Sequence, residues 1–325
     1  MALFGKSRRT ANIVIDDYII RMVENNGKDL LSLKIAAEKP LPQNIIENGR
    51  IVDEPAFYEV MKEAVREWGI RQRNVRFFAP QSLVILREID IPEDVGKDDQ
   101  DLKGYINLEI GNTIHFPFKN PIFDIYPRKA ASNKVTVLAA PENELLKYAE
   151  IFSDVSLKPD AVEIQPLGIY RYFLHTHGAS AEDDAYMIIE YNIGAVNISI
   201  FHEHRVEFLR HQPLNVSKQY WKWDAETRKF QFDGDDVRYQ GEIQDQLNEF
   251  DRIMNFYRFS LHHGNKEVKK LIVTGDSPHI HNIGELIGQR YPLPVKLLDV
   301  TEQLNGETLP RAFIPALGLA LRGGK

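Results

Sequence analysis

Cysteine is absent from this 325-residue chain, which excludes a disulfide framework, a thiolate metal site and a cysteine nucleophile together. That fits a reducing compartment. No apolar run approaches the roughly 20 residues needed to cross a bilayer. The stretch Met1-Ala2-Leu3-Phe4-Gly5-Lys6-Ser7-Arg8-Arg9 carries basic residues with no apolar stretch behind them to make a signal peptide, so a cytoplasmic protein is expected. Lys6, Arg8 and Arg9 beside Leu3 and Phe4 offer a weak contact to an anionic membrane; a frayed terminus is the plainer reading. Positive charge is also in deficit. Forty Lys and Arg against 47 Asp and Glu leave a net charge of −7 with no basic stripe, which argues against a nucleic-acid partner. Gly5-Lys6-Ser7 has the ending of a phosphate-binding P-loop without its earlier glycine or preceding strand. A Gly-x-Ser-x-Gly elbow and a His-Glu-x-x-His helix are missing too, so nothing points to hydrolytic catalysis.

What is present is apolar residue enough, at 43%, for a sizeable core, in a chain long enough for two lobes. Strand alternation runs through 11–15 and 18–23, with Asn26-Gly27 as a hairpin turn before a strand at 30–35. Asp53 as N-cap, Pro55 in the first turn and Gly69 beyond the end predict a helix whose apolar face is Phe57, Val60, Met61, Ala64, Val65 and Trp68. Strands are expected at 75–79 and 83–91, then a helix over 98–114 broken by Phe116-Pro117-Phe118. A strand at 135–140, a helix at 142–154, a short strand at 161–164 and a helix from 166 complete the first half. The polar break 178–184 is the expected lobe boundary. Strands at 186–191, 197–201 and 206–210, a helix over 242–261, a strand at 271–274, a helix at 280–290 and a strand at 295–298 then follow. The order of hairpin, third strand, helix, strand, helix thus occurs twice, which predicts an α/β fold duplicated in two lobes.

Three segments carry a resemblance. They are Val135-Thr136-Val137-Leu138-Ala139-Ala140-Pro141 with Ser156-Leu157-Lys158-Pro159 and the strand after it; Phe256-Tyr257-Arg258 followed by Val268-Lys269-Lys270-Leu271-Ile272-Val273-Thr274-Gly275-Asp276; and Ile314-Pro315-Ala316-Leu317-Gly318-Leu319-Ala320. In this order they resemble the PilM family of type IV pilus assembly. Arg87-Glu88-Ile89-Asp90-Ile91-Pro92 and Phe116-Pro117-Phe118 are similar to the small inserted subdomain that this family shares with the cell-division protein FtsA. The resemblance implies an actin-like, ribonuclease H-like two-lobed fold. Its first lobe would span residues 1–180, with an insert at about 78–134, and its second 181–312. A terminal helix at 313–322 would return to the first lobe. It also implies ATP with Mg²⁺ between the lobes, and a groove for the cytoplasmic N-terminal peptide of a PilN-like bitopic membrane protein, with a PilO-like protein joined indirectly. A pilus, a competence pseudopilus and a type II secretion platform use similar parts. The implied groove walls are the strands at 84–89 and 75–79, with Phe78, Leu83 and Ile85 as pocket residues and Arg87 holding a polar peptide group.

The residues at the implied nucleotide turns argue against the cofactor. Such turns need glycine, so that backbone N–H groups reach phosphate, and a carboxylate for the Mg²⁺ shell. The first turn reads Asp16-Asp17-Tyr18 with no glycine; the second keeps Gly194 but has Asn192 for the aspartate; the third, Gly275-Asp276, keeps one glycine. No cofactor and no catalysis are therefore expected, and the fold is read as one kept for its surfaces. An actin-like ATPase or nucleotide-dependent switch is the rival reading.

Histidine offers a further rival in the pairs His175/His177, His202/His204, His262/His263 and His279/His281, read here as exposed turn residues because a zinc site needs a third ligand and a second shell. The cluster Tyr220-Trp221-Lys222-Trp223 with Phe230 and Phe232 is either a partner surface or the core of a small β subdomain.

Overall fold

The computed structural model describes residues 9–26, 30–96, 98–126, 133–178 and 184–323. In the first half, β1 (Thr10–Asp16), β2 (Ile19–Asn25) and β3 (Ile35–Pro40) form an antiparallel run. A short hairpin of β4 (Ile46–Glu47) and β5 (Arg50–Ile51) leads to helix α1 (Glu54–Trp68). The Asp53 carboxylate accepts from the Ala56 N–H, and Gly69 ends the helix at φ 64°. Strand β6 (Asn74–Ala79) then pairs parallel with β1.

Next comes a unit with its own sheet and core. Strands β7 (Ile85–Asp90), β8 (Pro121–Ile125) and β9 (Lys134–Pro141) run in the order β7-β9-β8, covered by α2 (Asp99–Glu109). Leu102, Ile106, Ile114, Val135 and Val137 are buried together there. Helix α3 (Glu142–Asp154), strand β10 (Lys158–Ile164) and helix α4 (Gln165–His177) return the chain to the main sheet, whose order is β10-β6-β1-β2-β3.

The second half repeats this wiring. Strands β11 (Ala185–Tyr191), β12 (Ala195–His202) and β13 (Arg205–Pro213) form the antiparallel run. A hairpin of β14 (Trp221–Asp224) and β15 (Lys229–Phe232) precedes α5 (Asp236–Asn255). A π-helical turn, Phe256–Leu261, continues α5 into β16 (Val268–Thr274), and α6 (Ile280–Arg290) leads to β17 (Val295–Leu297). The sheet order β13-β12-β11-β16-β17 is that of the first half strand for strand, with the same parallel and antiparallel pairings. The short hairpin β18 (Gln303–Leu304) with β19 (Glu307–Thr308) precedes the last helix, α7 (Ile314–Ala320).

Alternation along the strands sets the layers, because successive side chains point to opposite faces. Ala11 and Ile13 join Phe57, Met61 and Phe152 on one face of the first sheet, whereas Val14 and Val23 face α4 and α7 on the other. That second face is shared: Tyr186, Ile188 and Ile272 of the second sheet enter the same buried cluster, so one core runs through both lobes. Helix α7 lies against α4, β1 and β2, and Asn25 Nδ2 donates to the Ala320 carbonyl at 3.1 Å.

Several expected boundaries move. Leu30–Ser32 is a 3-10 turn, so β3 begins only at Ile35; the turn at Gly27 lies outside the described residues, as does most of the lobe break at 179–183. Helix α2 ends at Glu109, where Gly111 takes φ 87°, ahead of the prolines expected to stop it. Helix α5 starts six residues early because Asp235 caps it through the Val237 and Arg238 N–H groups. The separate sheet spans Ile85–Pro141, and Phe78 belongs to the main sheet in β6.

Candidate functional site

The β1–β2 turn faces the β11–β12 turn across the space between the lobes, and the segment after β16 closes it from a third side. This brings Asp16, Asp17, Asn192, Gly194, Gly275 and Asp276 to one cleft, around cavities that also touch Asn48, Gln165 and Lys218. The larger of these has a volume of about 220 Å³. Gly275 is required by backbone proximity: at φ 125° a Cβ there would lie 2.2 Å from the Tyr191 carbonyl oxygen.

Asp17, Asp276 and Glu190 at this cleft already have protein donors. The Asp17 carboxylate accepts the Asn48 N–H at 2.7 Å, the Gly49 N–H at 2.9 Å and Lys218 Nζ at 2.6 Å. Two backbone amides and a lysine are the donors that a phosphate oxygen would take; here a side-chain carboxylate holds all three. Tyr18 donates to Asp276 Oδ2 at 2.7 Å, and its ring stands over Gly194. Asp276 Oδ1 accepts the Ile193 N–H at 3.2 Å, while Asn192 Oδ1 accepts the Asp276 N–H at 3.1 Å. Asn192 thus ties the β11–β12 turn to the segment after β16.

Arg21 is the central cation. Its buried guanidinium reaches Asp276 at 2.8 Å, Glu38 at 3.3 Å and Asp16 at 3.9 Å. Burial opposes its charge, but the carboxylates of Asp276, Glu38 and Asp16 raise its pKa further still. Asp16 is held well above the ordinary carboxylate range, first by burial and then by the charges of Asp276 and Glu190. Glu190 accepts from Gln165, from Gln81 at 3.2 Å and from Asn197 at 3.0 Å. Burial, only partly offset by these donors, pushes it up to about 6. Arg21, Glu190, Gln81 and Lys218 were not singled out in the sequence. One signal existed: Arg21 is a lone charge inside the apolar run Ile19-Ile20-Arg21-Met22-Val23, and a buried charge is seldom left unpaired.

A pH dependence follows. Because the folded-state pKa of Glu190 lies above the ordinary 4.5, its contribution is fully present below that value and is lost as pH rises through about 6. Between those limits the wild type loses about 2 kcal/mol of stability through this group. Urea unfolding at stepped pH is expected to show Glu190→Gln with a correspondingly flatter profile.

A second concavity, about 400 Å³, lies between the inserted unit and the first lobe. Ile122, Phe123 and Asp124 of β8 and Val162, Glu163 and Ile164 of β10 line it, with Leu138 and Leu167. Among the described residues strand β8 pairs only with β9, and β10 only with β6, so both are edge strands. One carboxylate oxygen of Glu163, Oε2, is buried without a hydrogen-bond partner.

The four residues expected to wall a peptide groove, Phe78, Leu83, Ile85 and Arg87, do not line this concavity. Phe78 is buried against Gly168 and borders the interlobe cavity, because alternation along β6 turns it toward α4. Leu83 is buried in a 3-10 turn. Ile85 and Arg87 sit on β7, which β9 separates from β8, and the Arg87 guanidinium donates to the His115 carbonyl. Their neighbours Ala79 and Val84 do reach the groove.

Of the histidines, His175, His177 and His281 are exposed, but His202 is buried and faces Glu207 at 3.4 Å. Among the described residues no group of three His, Asp or Glu is placed to hold a metal. Trp221 and Phe230 are buried in the second-lobe core, which resolves that aromatic cluster as a packed β hairpin.

Comparison with known proteins gives the following. The sequence model of a family described as type IV pilus assembly protein PilM matches residues 13–220. A solved PilM-PilN type IV pilus biogenesis complex contains a chain 18% identical, with 97% of this chain and 98% of that one covered at a TM-score of 0.74. The ethanolamine utilization protein EutJ from Carboxydothermus hydrogenoformans is 12% identical, covering 97% and 90% at a TM-score of 0.51. No curated protein matches. The duplicated two-lobed architecture is the actin-like fold.

Proposed function

Because the chain belongs to the PilM family of type IV pilus assembly proteins, we propose that it is a non-catalytic cytoplasmic scaffold of that machine, binding the N-terminal cytoplasmic segment of a PilN-like membrane protein. The observation that carries this reading is the groove between β8 and β10. Two edge strands and an apolar floor suit an extended peptide, which gains backbone hydrogen bonds at an edge and buries alternate side chains. Glu163 Oε2 gives such a peptide a buried acceptor to satisfy. Among the described residues no helix is long and apolar enough to cross a membrane, so attachment to the membrane is assigned to the partner, with a PilO-like protein reached through it.

Titration with the partner's cytoplasmic segment tests the groove. Ile122, 43% exposed on β8, is the probe. Ile122→Asp is expected to weaken binding at least about tenfold, a hot-spot effect, while stability changes by less than about 0.5 kcal/mol. Unchanged affinity would place the peptide elsewhere.

The absence of catalysis rests on the cleft. Asp17 occupies the backbone donors, and the carboxylates of Asp17, Asp276 and Glu190 would repel a triphosphate. A ligand at 100 times its Kd adds about 2.7 kcal/mol of stability. Millimolar ATP with Mg²⁺ is therefore expected to leave the melting temperature unchanged and to release no phosphate. A clear upward shift would restore the nucleotide-switch reading.

A further inference from the structure

The outer surface of the second lobe carries a feature that neither the cleft nor the groove uses. Where α5 passes into the π-helical turn, Phe256 and Phe259 stand 46% and 56% exposed. Phe256 touches Phe208 of β13 with ring centroids 5.9 Å apart, and the Arg258 guanidinium lies 5.0 Å from the Phe259 ring centre. Two half-exposed rings three residues apart on one helical turn are unusual for a surface with no partner.

Charge around them is not balanced. Arg210 and Arg252 share the single carboxylate of Glu249, at 2.9 and 3.2 Å. Arg258 and Lys269 share Glu267, at 3.0 and 2.5 Å. Each group of three therefore keeps one uncancelled positive charge, in a protein whose net charge is −7. Of these cations Arg258 lies against a ring, that of Phe259. Exposed aromatic rings bordered by surplus arginine and lysine match the boundary of an anionic bilayer, where rings enter the headgroup region and cations meet phosphates. The rings project from a helix end, as insertion into an interface requires.

We propose that this face, centred on Phe256, Phe259 and Arg258, docks directly on an anionic phospholipid surface. It is a second membrane contact, independent of the peptide groove, and it would orient the scaffold once a partner has recruited it.

The test uses the full chain without any partner peptide, so its failure leaves the groove reading standing. Co-sedimentation is measured with vesicles of equal parts phosphatidylglycerol and phosphatidylcholine, and with phosphatidylcholine alone. Binding is expected to the anionic vesicles only, falling with added salt. The double variant Phe256→Glu with Phe259→Glu should lower the bound fraction about tenfold, since it replaces both insertion points by charges that anionic lipid repels. Arg258→Glu alone should lower it several-fold. Val237→Glu, at a residue 82% exposed about 28 Å away along the same helix, should bind as wild type. Thermal melting of each variant separates lost binding from lost folding. Absence of binding to anionic vesicles overturns the proposal. So does unchanged binding by the double variant, which would shift the contact to a segment such as Leu3 to Arg9. Wild-type dimers by light scattering that the double variant abolishes, with lipid binding unaltered, would reassign the face to a second copy of the chain.

Discussion

Replacing Arg21 by alanine is expected to lower the melting temperature at pH 7 by on the order of 10 °C. Removing one partner of a buried ion pair typically costs about 3–5 kcal/mol, because the other charge stays buried and uncompensated, and in a chain this long each kcal/mol moves the midpoint by roughly 2–4 °C. Here Asp276 and Asp16 lose their cation, while Glu38 keeps Arg228 at 3.1 Å. Asp276 and Glu38 are each 4% exposed at the side chain, and Asp16 is 21% exposed. Arg21 comes from β2 of the first lobe and Asp276 from the segment after β16 of the second, so the loss also removes a tie between lobes. Tyr18 to Asp276 and Lys218 to Asp17 cross the same gap, which should keep the variant folded though weakened. Asp16 is already raised in the wild type, and without Arg21 it would rise further. The deficit should therefore shrink as pH falls and Asp16 takes a proton. Calorimetric scans at pH 5 and pH 7 read both effects. A midpoint within 2 °C of wild type at both pH values would mean that Arg21 does not hold the cleft.

Gly318→Ala should be as damaging for a steric reason. Helices α4 and α7 cross with glycine against glycine: a Cβ on Gly318 would lie 1.9 Å from the Gly168 carbonyl oxygen, and a Cβ on Gly168 would lie 2.6 Å from the Phe78 ring. The obstacle at Gly318 is backbone, so no side-chain rotation relieves it. Overpacking of this kind costs about 3 kcal/mol. Gly104→Ala in α2, where a Cβ meets nothing within 4 Å, should instead gain about 0.5–1 kcal/mol from helix propensity and a less flexible unfolded chain. Guanidinium midpoints for the pair give opposite signs if close backbone approach is what Gly318 provides. Two changes of the same sign and size would refute it.

The contrast between those glycines marks what the sequence could disclose. Local chemistry was legible. Asp53, Pro55 and Gly69 bounded α1, and apolar periodicity placed α3 and α6 at their observed limits. The repeated element order anticipated two sheets of identical wiring. Helix α5 began early because its first turn is polar and rests on the Asp235 cap more than on apolar spacing.

At the cleft, the six turn residues named from the sequence do converge, because turn chemistry is local. Their partners were not legible. Tyr18 and Asp276 are separated by 258 positions, and Asp17 and Lys218 by 201, so only the meeting of the lobes decides which donor each carboxylate finds. The concavity between β8 and β10 was not anticipated for a related reason. Periodicity gives the faces of β7 but not its neighbours, and the order β7-β9-β8 turns the free edge of β8 toward β10.

Those free edges are also a hazard to the cell that makes the protein. A bare strand edge is a template for any other strand, so molecules waiting for a partner are liable to stack on one another. Both edges carry a proline: Pro121 opens β8, and Pro159 sits in β10 beside an irregularity in its pairing with β6. Proline has no N–H to donate, and a broken register spoils continuous pairing. The stretches of open backbone left are Ile122 to Ile125 and Ala161 to Ile164. These are too short for indiscriminate strand addition, yet long enough for a short peptide whose side chains fit the floor. Selectivity against self-association is thus built from what these two strands cannot donate.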